Sequence, residues 1–117
     1  MDTINPFALV TCLIDMHFSP SDVESAAQLL LSTVGRTEAQ PGCLSCRLTR
    51  DEADENRFRY HETWDSMTAF QRHVQSDEFR LVLVAMDMCC EVPDVMVGDL
   101  SARSGMAYLQ DLRKGAA

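Results

Sequence analysis

Between Phe58 and Val74 the apolar period of this chain changes once, and that change restricts the fold more than any other feature. Phe58-Arg59-Tyr60-His61-Glu62-Thr63-Trp64 alternates at the two-residue period of a strand. Phe58, Tyr60 and Trp64 share one face, and Arg57, Arg59 and His61 the other. Met67, Phe70 and Val74 then follow at helical spacing, with Asp65 or Ser66 placed to cap the new helix. A strand that carries the only Trp and runs straight into a helix carrying a His can line a pocket.

The flanking segments supply the other elements. From Ala8 to Phe18, Val10, Cys12, Ile14, Met16 and Phe18 alternate with Leu9, Thr11, Leu13, Asp15 and His17, which predicts a strand with one wholly apolar face. His17, at its end, reads as a surface or pocket-rim residue. Ser19-Pro20-Ser21-Asp22 predicts a helix start with Ser19 as cap and Pro20 at the first helical position. Val23, Ala26, Ala27, Leu30, Leu31 and Val34 form its apolar stripe, and Gln40-Pro41-Gly42 ends it. Leu44, Cys46 and Leu48 mark a second strand. It joins the Phe58–Trp64 strand as a hairpin through the acidic connection from Asp51 to Asn56, which lacks the spacing and the Gly of a calcium loop.

Ser76-Asp77-Glu78 caps a further helix with the stripe Phe79, Val82, Leu83 and Met86. Val92 to Arg103 reads as the last strand, with Pro93 confined to its beginning. Met106 to Lys114 forms a short helix or an arm that docks on a partner. The order β-α-β-β-α(α)-β is α+β: a ferredoxin-like split βαβ with a four-stranded antiparallel sheet and helices on one face. A chain of 117 residues is expected to be one domain, with its core at about 8–103 and a C-terminal extension at 104–117. Both faces of the first strand carry apolar residues, so a homodimer packed sheet to sheet is expected.

Composition narrows the function classes. With 18 acidic and 10 basic residues, the net charge of −8 opposes nucleic acid and anionic membrane surfaces as partners. Residues Met1 to Pro6 carry no basic cluster, and the apolar run that follows is broken by Thr11, Asp15 and His17. This reads as neither signal peptide nor membrane span. Five cysteines, an odd number, fit free thiols in a reducing, cytoplasmic setting. Cys43 and Cys46 form a C-x-x-C, and Cys89 and Cys90 are adjacent. Buried small side chains are the stronger reading of these, with metal or thiol redox chemistry the remote one.

Three features carry a resemblance to a known family: Pro41-Gly42-Cys43-Leu44 before the second strand, Glu62-x-Trp64 closing the third, and His73-x-x-Ser76-x-x-Phe79 across the two short helices. With the element order, they resemble the antibiotic biosynthesis monooxygenase family of dimeric α+β barrel proteins, over about residues 8–103. The resemblance implies dimerisation through the sheets and a pocket between sheet and helices. It also implies oxidation of a small phenol- or quinol-like aromatic by molecular oxygen, without metal, flavin or other cofactor. A deprotonated electron-rich ring can pass an electron to oxygen itself, so the protein supplies an apolar pocket and a tuned base.

On this sequence the resemblance makes His73, Trp64 and Glu62 the catalytic candidates, with His73 as base or hydrogen-bond donor. Tyr60, Phe79 and Met86 are the candidate pocket residues. Each has a purely structural alternative: Trp64 and Tyr60 as core, His73 as a satisfied buried histidine, and Glu62 as an ion pair with Arg47 on the adjacent strand. The haem-degrading branch is set aside, because its haem-ligating His falls at Leu83 and its Trp at His73. The alternatives to an oxygenase are a non-catalytic ligand-binding or stress-related domain of the same fold and, more remotely, a thiol redox sensor.

Overall fold

A computed structural model describes residues 8–100 and 105–115. Four strands and four helices follow in the order β1 (Leu9–His17), α1 (Val23–Glu38), β2 (Cys43–Arg50), β3 (Arg57–Trp64), α2 (Met67–Val74), α3 (Asp77–Asp87), β4 (Asp94–Leu100) and α4 (Gly105–Arg113). The sheet is antiparallel throughout, in the order β2-β3-β1-β4, which is the ferredoxin-like arrangement. The part of the expected last strand at 101–103, and residues Met1 to Pro6, lie outside the described residues.

Alternation along the two central strands builds the core. Val10, Cys12, Ile14 and Met16 of β1 lie opposite Trp64, Glu62, Tyr60 and Phe58 of β3, and all eight are buried beneath the helices. α1 lays Val23, Ala26, Ala27 and Leu30 on this layer, followed by Thr33 and Thr37. Here the expected stripe needs correction. Leu31 is 61% exposed and Thr37 is buried, because the seam runs from Leu30 to Thr33 and Thr37 at steps of three and four and leaves Leu31 a quarter-turn away. The helix start also differs. Ser19 does not cap: its carbonyl accepts the Asp22 and Val23 N–H groups, so Pro20 occupies a turn and the helix opens at Val23.

The two short helices start as expected. Ser66 Oγ accepts the Ala69 N–H at 3.1 Å, and Ser76 Oγ accepts the Phe79 N–H at 3.3 Å. The acidic connection is a pair of Asx turns, in which the Asp51 and Asp54 carboxylates accept the Ala53 and Asn56 N–H groups. His17 bridges Asp54 and Glu91 at 3.1 Å each, tying the end of β1 to the hairpin and to the segment after α3.

The two faces of the sheet differ. On the side away from the helices, Leu9, Leu13 and Met96 form an apolar strip along β1 and β4, with Leu9 39% and Met96 63% exposed. Arg47, Thr49, Arg59 and His61 make the β2–β3 half of that side polar. Val95 and Val97 share the helix side with Ile14 and Cys12, yet each remains 48% exposed at the sheet edge. In α4, Met106, Leu109 and Leu112 are exposed.

Candidate active site

The site grows from one irregularity in the sheet. Cys43 lies opposite Trp64 and Ser45 opposite Thr63, so Leu44 is an extra residue: a β-bulge. Gly42 precedes it at φ +90°, a conformation that favours glycine. Its carbonyl accepts the Asp65 N–H at 2.8 Å, locking the end of β3 to the turn from α1. The bulge places both Cys43 and Cys46 on the helix side, where strict alternation would separate them. The turn brings Gln40 and Pro41 against α2.

Around this corner, buried and half-buried polar groups form a continuous hydrogen-bonded chain. Trp64 Nε1–H donates to Glu62 Oε1 at 3.0 Å, and His73 Nε2 meets Glu62 Oε2 at 2.6 Å. His73 Nδ1 meets Gln40 Oε1 at 2.8 Å, and the Gln40 amide nitrogen donates to Glu78 Oε2 at 3.2 Å. The imidazole stacks on the Trp64 indole with centroids 4.7 Å apart, and Phe79 meets its other side edge-on at 5.3 Å. Glu62, Trp64 and the His73 side chain are all buried.

Counting donors and acceptors assigns the protons. The Glu78 carboxylate only accepts, so it faces the NH₂ end of Gln40 and leaves the amide oxygen to His73. Nδ1 therefore bears hydrogen. Glu62 accepts from the indole on one oxygen and faces Nε2 with the other. With Glu62 ionised, His73 is an imidazolium donating from both nitrogens, clamped between a carboxylate and an amide oxygen.

The expected Glu62–Arg47 pair does not exist. Arg47 lies opposite His61 on the outer side of the sheet, while Cys46 is the residue opposite Glu62. Alternation sends Arg47 away, and His73, arriving from α2, takes its place. Sequence reasoning did not single out Gln40. Its position just ahead of Pro41-Gly42, the turn that abuts α2, is the signal that could have found it.

Of the expected site residues, the structure brings Glu62, Trp64, His73 and Phe79 together. Tyr60 lies one alternation along β3 in the core, where its hydroxyl accepts the Cys46 thiol at 3.2 Å. Met86 packs against the core from α3. Trp64 and His73 fill the space between sheet and helices by direct stacking. On the outer side of His73 lies an apolar depression of about 180 Å³ lined by Gln40, Pro41, Ala69, Arg72, His73 and Ser76.

Burial and the nearby Glu62 charge push the Cys12 thiol up to about 12. Cys43 rises to about 11 and Cys46 to about 12, burial being the largest cause for both. The Tyr60 hydroxyl is pushed upward by the same burial and the same carboxylate. Thiolates are scarce at neutral pH in such surroundings, which opposes a redox role for the C-x-x-C. Among the described residues, no cluster of three or more His, Cys, Asp or Glu side chains is suited to a metal ion. No helix among them is long and apolar enough to cross a membrane.

A split βαβ sheet with a buried Glu–His–Trp cluster at the turn between its first helix and second strand places the chain among the ferredoxin-like α+β proteins. The family model for antibiotic biosynthesis monooxygenases matches residues 9–82, and the chain belongs to that family. Similar solved structures include a protein described as an antibiotic biosynthesis monooxygenase, at 22% identity and TM-score 0.71 over 80% of this chain and 99% of that one. A Bacteroides thetaiotaomicron protein described as a possible oxidoreductase aligns at 12% identity and TM-score 0.74, over 80% and 99%. A conserved protein from Methanosarcina mazei aligns at 14% and 0.74, over 81% and 95%. At these identities the likeness is one of fold. No curated protein matches the sequence.

Proposed function

We propose that this chain is a cofactor-independent monooxygenase of small phenol- or quinol-like aromatics, with His73, Glu62 and Trp64 as its catalytic group. The observation that carries the reading is the His73 imidazole held between Glu62 and Gln40 behind an apolar depression. When Gln40 swings out, a hydroxyarene in the depression takes its place at Nδ1. With that nitrogen unprotonated, His73 accepts the phenolic proton, and Glu62 stabilises the resulting imidazolium through Nε2–H, as the carboxylate of a catalytic triad does. With Glu62 ionised, the arrangement of His73 against Gln40 corresponds to the state after proton transfer.

The phenolate then reduces dioxygen. One oxygen atom enters the ring as a carbonyl, and the other leaves as water with the ring hydrogen and the phenolic hydrogen. Trp64 holds the imidazole plane by stacking and Phe79 meets it edge-on, whereas Tyr60 and Met86, the other expected pocket residues, pack in the core and do not line the depression.

Oxygen uptake with a panel of hydroxyarenes, measured after chelation and without added flavin, tests this. Uptake is expected, and a folded His73→Gln variant should lose about 100-fold or more of it. Unchanged uptake in that variant removes His73 from the chemistry.

A second reading, a non-catalytic binding domain, is favoured by the direct Trp64–His73 stacking, which leaves no room for a ring between them. Saturable aromatic binding with no oxygen uptake supports it. For assembly, we propose a homodimer formed through the outer sheet face, supported by the exposed strip of Leu9, Leu13 and Met96 and by the family's usual habit.

A further inference from the structure

We infer that the depression outside His73 selects an anionic aromatic, a ring bearing a carboxylate or a phenolate oxygen, and that Arg72 reads the charge. This deepens the proposed reading of the site and rests on it. The walls are largely apolar: Pro41 and Ala69 face each other across the turn and α2, with Gln40, His73 and Ser76 around them. The volume, about 180 Å³, suits a ligand of one or two fused rings, since an apolar cavity of about 150 Å³ accommodates benzene.

The polar groups of this wall are already committed, with one exception. Ser76 Oγ donates to the His73 carbonyl at 2.6 Å and caps α3. Gln40 is held between His73 and Glu78, whose carboxylate accepts the Gln40 amide N–H. Arg72 lines the depression and makes no ion pair or hydrogen bond among the described residues. Arg50, Arg57, Arg59 and Arg80 each hold a carboxylate; of the arginines without one among the described residues (Arg36, Arg47, Arg72 and Arg113), only Arg72 lines this depression. Arg72 is exposed and has no carboxylate among the described residues, so its guanidinium at the edge of an apolar hollow is free to take the charge of an anionic ligand.

The geometry also suits the chemistry proposed for His73. A guanidinium near the ring favours the phenolate over the phenol, and the phenolate is the form that gives up an electron to oxygen. Against a net charge of −8, which repels anions at long range, Arg72 provides the local attraction.

Equilibrium binding of hydroxynaphthoate and of naphthol, followed by amide NMR at low salt, tests the inference. The acid should bind about fivefold tighter than the neutral analogue, with shifts concentrated at Ala69, Arg72 and Ser76, and Arg72→Gln should erase the preference. Equal binding, a preference that survives in Arg72→Gln, shifts on another surface, or no binding at all overturns it. Oxygen uptake is read separately on the same samples. An Arg72-dependent preference without uptake leaves this inference standing and removes the oxygenase reading; uptake indifferent to Arg72 does the reverse.

Discussion

A methyl group added at Gly42 would lie 2.5 Å from the Ala69 Cβ and 2.8 Å from the Asp65 carboxylate, at a φ of +90° that side chains rarely adopt. Gly42→Ala should therefore lose about 2 kcal/mol or more, seen as a lowered urea midpoint. It should also move Pro41 and Gln40 away from α2, so any ligand affinity should fall further than stability alone explains. Glu62→Gln tests the buried clamp. An amide in that position can accept one of the two N–H groups but turns its own NH₂ towards the other. Removing one member of a buried charge pair costs about 3 kcal/mol, and a loss below about 1 kcal/mol would show that the cluster is not ionised. Thiol reactivity follows burial. Cys90 is exposed and should alkylate first at mildly alkaline pH, with Cys12 and Cys46 modified only on unfolding.

At the scale of elements, the three main helices differ in how they begin, and this predicts a ranking. Ser66→Ala and Ser76→Ala should each cost about 1 kcal/mol in chemical denaturation, because each removes an acceptor for a helix-end N–H. Asp22→Ala should cost only a few tenths, since no side chain caps α1. The element order, the hairpin and the Ser76 cap were legible because they depend on local spacing, which left Asp65 and Ser66 both open for α2 and placed a cap at Ser19 that α1 does not use. The pairing of Glu62 was not. Alternation put Glu62 on the same side as Tyr60 and Trp64, but a strand pattern does not say which helix residue will descend on that side. Arg47 looked close because it stands on the paired strand, yet alternation with Cys46 and Leu48 already turns it to the outer face; the bulge at Leu44, which leaves no mark in the sequence, decides only that Cys43 joins Cys46 inside. The α1 seam shows the same limit: two threonines complete it, and only the packed partner tells Thr37 from a solvent-facing residue.

For the whole molecule, pH enters through the buried acids. Cys12 and Cys46 titrate near 12 in the fold, against an ordinary value of 9.0. The folded state therefore holds more protons between those values. The contribution of these two thiols should be constant below about pH 9 and be lost as pH rises from there towards 12, a decline that Cys12→Ala or Cys46→Ala should lessen. Asp15 acts in the opposite sense. Its hydrogen bond from Arg59 lowers its pKa, so its small contribution is complete above the ordinary carboxylate value and fades only as pH drops through the lowered one. The proposed sheet-to-sheet dimer predicts that Leu13→Glu, in the middle of the apolar strip, shifts sedimentation from dimer to monomer at micromolar concentration. A wild-type chain that already sediments as a monomer rules the dimer out.

The bulge at Leu44 has a consequence for how chains of this kind can vary. Deleting that single residue would not shorten a loop; it would turn Cys43, Gly42 and the whole approach from α1 half a revolution about the strand axis. Insertions and losses should thus be tolerated in the acidic hairpin and rejected here, so the stretch from Gln40 to Ser45 behaves as a fixed-length hinge pin rather than a connector.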